Sequence, residues 1–148
     1  MLLGQFLGKV SEKHQVAFPK KFRDILGEKL IVTQGFEKAL IVVSESGWKA
    51  LLEGTEGKPF TNTSARETKR FLLGGAAFVE LDEKGRFILP QYLREYAQMG
   101  EEIIFLGQDN YVEIWDKQHW DIYNQDLAKN ISYIAEKLTA PERMRKDE

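Results

Sequence analysis

The chain has 148 residues, 43% of them hydrophobic and 30% charged, with no cysteine and a formal net charge of −2. This is the composition of a soluble globular protein, one domain or two very small ones sharing a core, and the lack of cysteine excludes a disulfide framework or a thiolate zinc site. No stretch approaches the roughly 18 apolar residues of a membrane span, and MLLGQFLGKV lacks the basic start and cleavage site of a signal peptide, so a cytoplasmic protein is expected.

The first segment reads as strand, turn, strand, helix. Phe6, Gly8 and Val10 alternate with Gln5, Leu7 and Lys9, an imperfect period of two. Ser11 to His14 is the turn and Gln15 to Phe18 the return strand. Pro19 then opens a helix whose apolar stripe is Phe22, Ile25 and Leu26. Lys29 to Gln34 and Ala39 to Val43 are short apolar strands around a turn at Gly35 to Lys38, followed by a helix start behind Ser44, with Trp48 as its anchor.

The glycine- and proline-bearing stretch EGTEGKPFTNT is a loop. Ser64-Ala65-Arg66-Glu67 is a capping-box pattern that opens a helix to about Leu73. Arg66, Lys69 and Arg70 share one face of that helix, Phe71 to Leu73 turn inward, and Gly74-Gly75 ends it.

Leu81 to Arg94 repeats the first layout. Asp82-Glu83-Lys84-Gly85 has the composition of a tight hairpin turn, with Gly85 where a positive φ is needed. Arg86 follows, Phe87 to Leu89 read as a buried strand, and Pro90 opens a helix. Val10 to Pro19 aligns with Leu81 to Pro90, and Arg23 falls on Arg94 at the same offset of 71 (94 − 23). Glu102 to Gly107 and Tyr111 to Trp115 then repeat the apolar strand pair, with Asp116 and Trp120 in the places of Ser44 and Trp48. Each half is therefore expected to be ββαββα, over 5–47 and 76–119, with a linker and basic helix at 48–75 and a C-terminal helix and charged tail at 120–148. Along that last helix Trp120, Tyr123, Leu127, Ile131, Ile134 and Leu138 recur at three- and four-residue spacing, suited to packing or a subunit contact. Pro141 onward reads as a disordered charged tail.

Catalysis has little support. The only histidines are His14 and His119, and no nucleophile–base set, phosphate loop or dinucleotide fingerprint appears. No cofactor or metal is expected. The repeated turn is more informative. On pattern alone Asp82 and Arg86 could simply stabilise a hairpin. The diverged second copy, the cations Lys20, Lys21, Arg23 and Arg94 at the helix starts, and the Arg66/Lys69/Arg70 face together point to a phosphate-binding surface in an acidic chain.

LDEKGRFILP, VSEKHQVAFP, RETKRFLLGGA and the endings VEIWDKQHW and LIVVSESGW, in order and duplicated, resemble the MraZ family of bacterial regulators built from two SpoVT/AbrB-like units. The resemblance covers nearly the whole chain. It implies an α+β fold of two ββαββα swapped-hairpin repeats that pair as a pseudo-dimer. It also implies homo-oligomeric rings, double-stranded DNA as partner, repeated boxes upstream of a division and cell-wall gene cluster, and a cytoplasmic, nucleoid-associated location.

The family carries a D-x-x-x-R motif in both halves. Asp82 and Arg86, with Lys84 between them, match it in the second; the first has Ser11, Gln15 and, for the turn glycine, His14. Histidine tolerates positive φ better than most residues, but the charge pair is lost. Either the first-half site is weakened, or contact moves to Lys13, Lys20, Lys21 and the Arg66/Arg70 helix, with Gln15 left to hydrogen-bond a base edge or phosphate. The rival reading is a ring-forming protein-interaction module that does not bind DNA.

Overall fold

The computed structural model describes residues 1–139; the charged tail from Pro141 lies outside them. In chain order the elements are β1 (Gln5–Lys9), β2 (Gln15–Ala17), α1 (Lys20–Leu26), β3 (Lys29–Gln34), β4 (Leu40–Ser44), α2 (Trp48–Leu51), α3 (Thr63–Gly74), β5 (Ala77–Glu80), β6 (Arg86–Ile88), α4 (Gln91–Tyr96), β7 (Glu102–Gly107), β8 (Val112–Asp116) and α5 (Lys117–Glu136). The fold is α+β with antiparallel pairing. Residues Met1–Lys117 form one compact unit and the chain from Gln118 a second. Among the described residues no helix is long and apolar enough to cross a membrane.

In the first unit, six strands form one sheet in the order β1-β7-β8-β4-β3-β5. Three of its pairings join an early strand to a late one: Gly8 opposes Ile103, Leu40 opposes Ile114, and Leu30 opposes Val79. The sheet is covered on both faces, which is why Leu30 to Val32 and Leu40 to Val43 are apolar without a polar alternation. One face carries Leu30, Val32, Leu40, Val42, Ile103, Phe105 and Ile114 against Phe18, Phe22, Leu89 and Leu93. The other carries Ile31, Ile41 and Val43 against Trp48 and Leu51.

The two turn-bearing segments are not closed hairpins. After its turn the chain leaves the large sheet, and β2 and β6 pair with each other in a separate two-stranded ribbon. Gln15 opposes Ile88, Val16 opposes Phe87, and Ala17 opposes Arg86. Each strand prefers the opposite copy because Val16 and Phe87 then enter the shared core together, buried with Phe18 and Leu89. Period two applies in the ribbon, so Phe87 and Leu89 are buried while Ile88 between them is 62% exposed. The run Phe87 to Leu89 is therefore half buried, not a continuous core strand.

Other expectations shift by local chemistry. Asn62, not Ser64, caps α3: its Oδ1 accepts the Ala65 N–H at 2.9 Å. Leu72 is buried and Phe71 stacks on Phe36, but Leu73 is exposed, as is Ile25 on α1. Ser44 Oγ accepts from Gly47 N–H at 3.2 Å, yet the helix beyond it, α2, begins only at Trp48 and lasts four residues. α3 is tied to the sheet where Thr33 Oγ1 donates to the Leu72 carbonyl at 2.6 Å and Gln34 Nε2 to that of Phe71 at 2.9 Å. In the second unit α5 leaves Ile122, Ile131, Tyr133 and Ile134 exposed, as is Leu138 just beyond its end.

Candidate nucleic-acid interface

The ribbon positions the site. Its buried face is Val16 and Phe87; its outer face is Gln15, Ala17, Arg86 and Ile88, by the same alternation. Each strand is led in by one of the two repeated turns, and the two turns are built on one plan with different side chains.

In the second turn Asp82 organises everything. Its N–H donates to the Arg86 carbonyl, and Gly85 N–H donates back to the Asp82 carbonyl, both at 2.9 Å. Asp82 Oδ1 accepts the backbone N–H groups of Lys84 and Arg86, each at 2.9 Å, and Oδ2 takes Arg86 Nε at 3.1 Å. One carboxylate thus closes the turn with one oxygen and holds the guanidinium through its Nε with the other. The Arg86 backbone N–H chiefly holds the Asp82 carboxyl below its usual 3.8; the Arg86 guanidinium and Lys84 N–H add to this, and desolvation opposes it. A depressed pKa means the carboxylate's support is complete above about 3.8 and is lost only as pH falls through the lower folded value. Function that depends on Asp82 is accordingly expected to be flat from pH 5 to 8.

The first turn keeps the backbone plan without the charges. Ser11 N–H donates to the Gln15 carbonyl at 3.0 Å and His14 N–H to the Ser11 carbonyl at 2.8 Å. Ser11 Oγ accepts the Gln15 N–H at 3.0 Å, the position Asp82 Oδ1 fills in the other copy. His14 adopts φ 64° where Gly85 has 75°. Serine supplies the turn-closing oxygen and no second oxygen, so Gln15 has no counterpart of the Asp82 Oδ2 brace.

The turns also hold each other. Phe18 N–H donates to the Gly85 carbonyl and Leu89 N–H to the His14 carbonyl, both at 2.9 Å. Gly85 is buried under Arg23, whose guanidinium occupies the space that a Cβ would need. The equivalent Arg94 instead donates its Nε to the Leu89 carbonyl at 3.0 Å, and the first turn carries His14 where the second has Gly85. Gly85→Ala is therefore expected to cost about 1–2 kcal/mol for the left-handed backbone, plus displacement of Arg23. In a denaturant series, adding Arg23→Ala should recover the steric part and leave the backbone part.

Around the ribbon a groove is lined by Lys9, Ser11, Gln15, Ala17 and Arg86, with Glu12 and Glu101 at its acidic side. The structure thus brings Gln15 and Arg86 together, and adds Lys9. The remaining sequence-derived candidates sit elsewhere. Lys13 and Lys84 are exposed on the two turns. Lys20 pairs with Asp24 at 3.1 Å, and Lys21 lies over the Phe6 ring at 6.0 Å. Arg66 and Arg70 line a groove of their own on α3 with Lys58, Phe60 and Lys69. Within it Arg66 is engaged by the Phe60 carbonyl at 2.8 Å and Thr63 Oγ1 at 3.3 Å. Sequence reading passed over Ser11 as a turn-closing acceptor and Arg23 as the lid on Gly85; the constant offset between the copies was the signal available for both.

A family model described as "MraZ protein, putative antitoxin-like" matches residues 72–142. A protein named "Transcriptional regulator MraZ" from Caldanaerobacter subterraneus subsp. tengcongensis is 39% identical over 138 residues, covering 93% of this chain and 96% of that one. Proteins of the same name from Acetivibrio thermocellus and Natranaerobius thermophilus are 39% and 37% identical over the same share of each chain. The chain belongs to the MraZ family. Within this MraZ-family chain the matched region starts in α3 and contains the whole of the Asp82–Arg86 turn, whereas the Ser11–Gln15 turn lies outside it and is covered by the full-length relatives.

Proposed function

We propose that this chain is a sequence-specific DNA-binding transcriptional regulator, and not an enzyme, acting on repeated boxes upstream of a division and cell-wall gene cluster. The observation that carries this reading is the Arg86 guanidinium, braced by Asp82 on the solvent face of a two-stranded ribbon. A ribbon of this kind fits the roughly 12 Å width of a major groove, and the names of the full-length relatives agree with it. Asp82, Lys84, Arg86 and Gln15 would form the reading edge, with Lys13, Lys20, Lys21, Arg66 and Arg70 serving phosphates. The repeated offset and the pairings of early with late strands support two SpoVT/AbrB-like swapped-hairpin repeats, 5–47 and 76–119, joined through 48–75. The protein would act in the cytoplasm, on the nucleoid and without a cofactor, as a homo-oligomeric ring in which many modest contacts combine by avidity.

The test is retention of genomic DNA fragments by the full-length chain at graded salt. Fragments from upstream of the division cluster should be enriched, and log K should fall linearly with log salt by about 0.9 per phosphate contact. Absence of any retention at low salt would overturn the reading. The rival, a protein-interaction ring, draws on the exposed apolar side chains of α5 and on Glu12 and Glu101 beside Arg86. It would be favoured by assembly without DNA retention.

A further inference from the structure

We infer that Gln15 is a specificity-determining residue that reads adenine, about two base pairs from the base read by Arg86. The inference rests on the DNA-binding reading and goes beyond it, by assigning a base to the turn that lacks the charge pair.

Three observations converge on the Gln15 side chain. First, its backbone N–H is held by the same turn-closing bond as that of Arg86: Ser11 Oγ accepts it at 3.0 Å as Asp82 Oδ1 does at 2.9 Å. Loss of the acid therefore removes the brace on the side chain without removing the turn that presents it. Second, Gln15 lies on the same ribbon face as Arg86, two pairs along. Gln15 opposes Ile88 and Ala17 opposes Arg86, so Gln15 and Arg86 are diagonal neighbours, roughly 7–8 Å apart with the Cβ atoms somewhat closer. That separation is about two base steps of roughly 3.4 Å each. Third, among the described residues no hydrogen bond engages the Gln15 side-chain amide, although it borders a groove shared with Arg86.

The chemistry then assigns the bases. A glutamine amide offers one acceptor and two donors on one plane, which matches the N6 donor and N7 acceptor of adenine. A guanidinium offers donors alone, which matches guanine O6 and N7. A glutamine kept only for turn geometry would direct no base preference. One with its amide free on the reading face directs adenine.

Selection of duplexes from a random pool by the full-length chain tests this, run in parallel with Gln15→Ala and Gln15→Arg. The unaltered chain should enrich a box with guanine at one position and adenine about two base pairs away. Gln15→Ala should lose the adenine preference, roughly 5- to 150-fold in relative affinity, while the guanine position stays. Gln15→Arg should replace adenine by guanine, an exchange of base that a purely structural role would not produce. An unchanged box in both variants overturns the inference while DNA binding stands. Failure of the unaltered chain to enrich any duplex overturns the DNA-binding reading itself, and this inference with it.

Discussion

Arg86→Ala is expected to weaken DNA binding by roughly 5- to 150-fold for each engaged subunit, the discrimination that one bidentate guanidinium contact supplies. In an oligomer bound to several boxes the loss compounds, because each weakened contact also lowers the avidity of the rest. Anisotropy titrations of a labelled duplex would measure it, and a shallower salt dependence, by up to about 0.9 in slope, would report whether the lost cation neutralised a phosphate. Asp82→Asn separates the two tasks of the carboxylate. An asparagine Oδ1 still accepts the N–H groups of Lys84 and Arg86, so the turn persists, but the anionic partner of Arg86 Nε is gone. Its effect should be smaller than that of Arg86→Ala and should leave the melting temperature nearly unchanged. Arg86→Lys keeps the charge and loses the planar fork, so a variant that retains the salt slope but loses box preference would show that geometry, more than charge, is used. Wild-type affinity in Arg86→Ala at low salt would remove Arg86 from the interface.

Much of the architecture was legible because the relevant signals are local. Pro19 and Pro90 open α1 and α4, Gly85 takes the positive φ its turn requires, and the runs KLIVTQ and EIIFLG coincide with β3 and β7. What turn chemistry alone leaves open is non-local. Ser11 to His14 and Asp82 to Gly85 each look like the bend of a self-contained hairpin, since a turn signal says nothing about which partner the next strand will choose. The choice is made by burial: Val16 and Phe87 reach the common core when β2 and β6 pair with one another, and Ile88 is left outside. Exposure of Leu73 and Ile25 has the same origin, because an apolar residue at a helix end or edge is placed by what the neighbouring elements leave uncovered.

The candidate site divides in the same way. The Asp82–Arg86 pair was readable from four-residue spacing, and its loss in the first copy from Ser11 and Gln15. That Ser11 still performs the backbone half of the Asp82 role was not readable, because a hydroxyl and a carboxylate share only their accepting oxygen, and only geometry shows which of the two Asp82 oxygens the turn needs. The cations also differ in what already engages them. Lys20 is drawn into a pair with Asp24, and the Arg66 guanidinium is occupied by the Phe60 carbonyl. Formal charge in a sequence counts cations without regard to those already committed to neighbours.

The ribbon is only as rigid as the core beneath it, and Phe18→Ala is expected to be the costliest single truncation. Phe18 is 1% exposed and sits where β2 ends, its N–H on the Gly85 carbonyl. Its ring meets Phe105 of β7 edge-on at 5.7 Å and lies 6.1 Å from Phe22 of α1, so it joins the ribbon, the large sheet and a helix in one contact set. Truncation to alanine leaves a cavity that a two-stranded ribbon fixed by hydrogen bonds at both ends cannot easily collapse to fill. The cost should fall in the usual range for phenylalanine, about 3–5 kcal/mol, a large fraction of the roughly 5–15 kcal/mol that stabilises a typical domain. At about 2–4 °C per kcal/mol for a chain near this size, the melting temperature should drop by some 6–20 °C. Phe78, 78% exposed on β5, is the matched control, and its alanine variant should melt within about 0.5 kcal/mol of the unaltered chain. If Phe18→Ala binds DNA normally at a temperature where it stays folded, the core supports the ribbon without tuning it. If affinity falls while the fold persists, the position of Gly85, and through it Arg86, depends on the Phe18 ring.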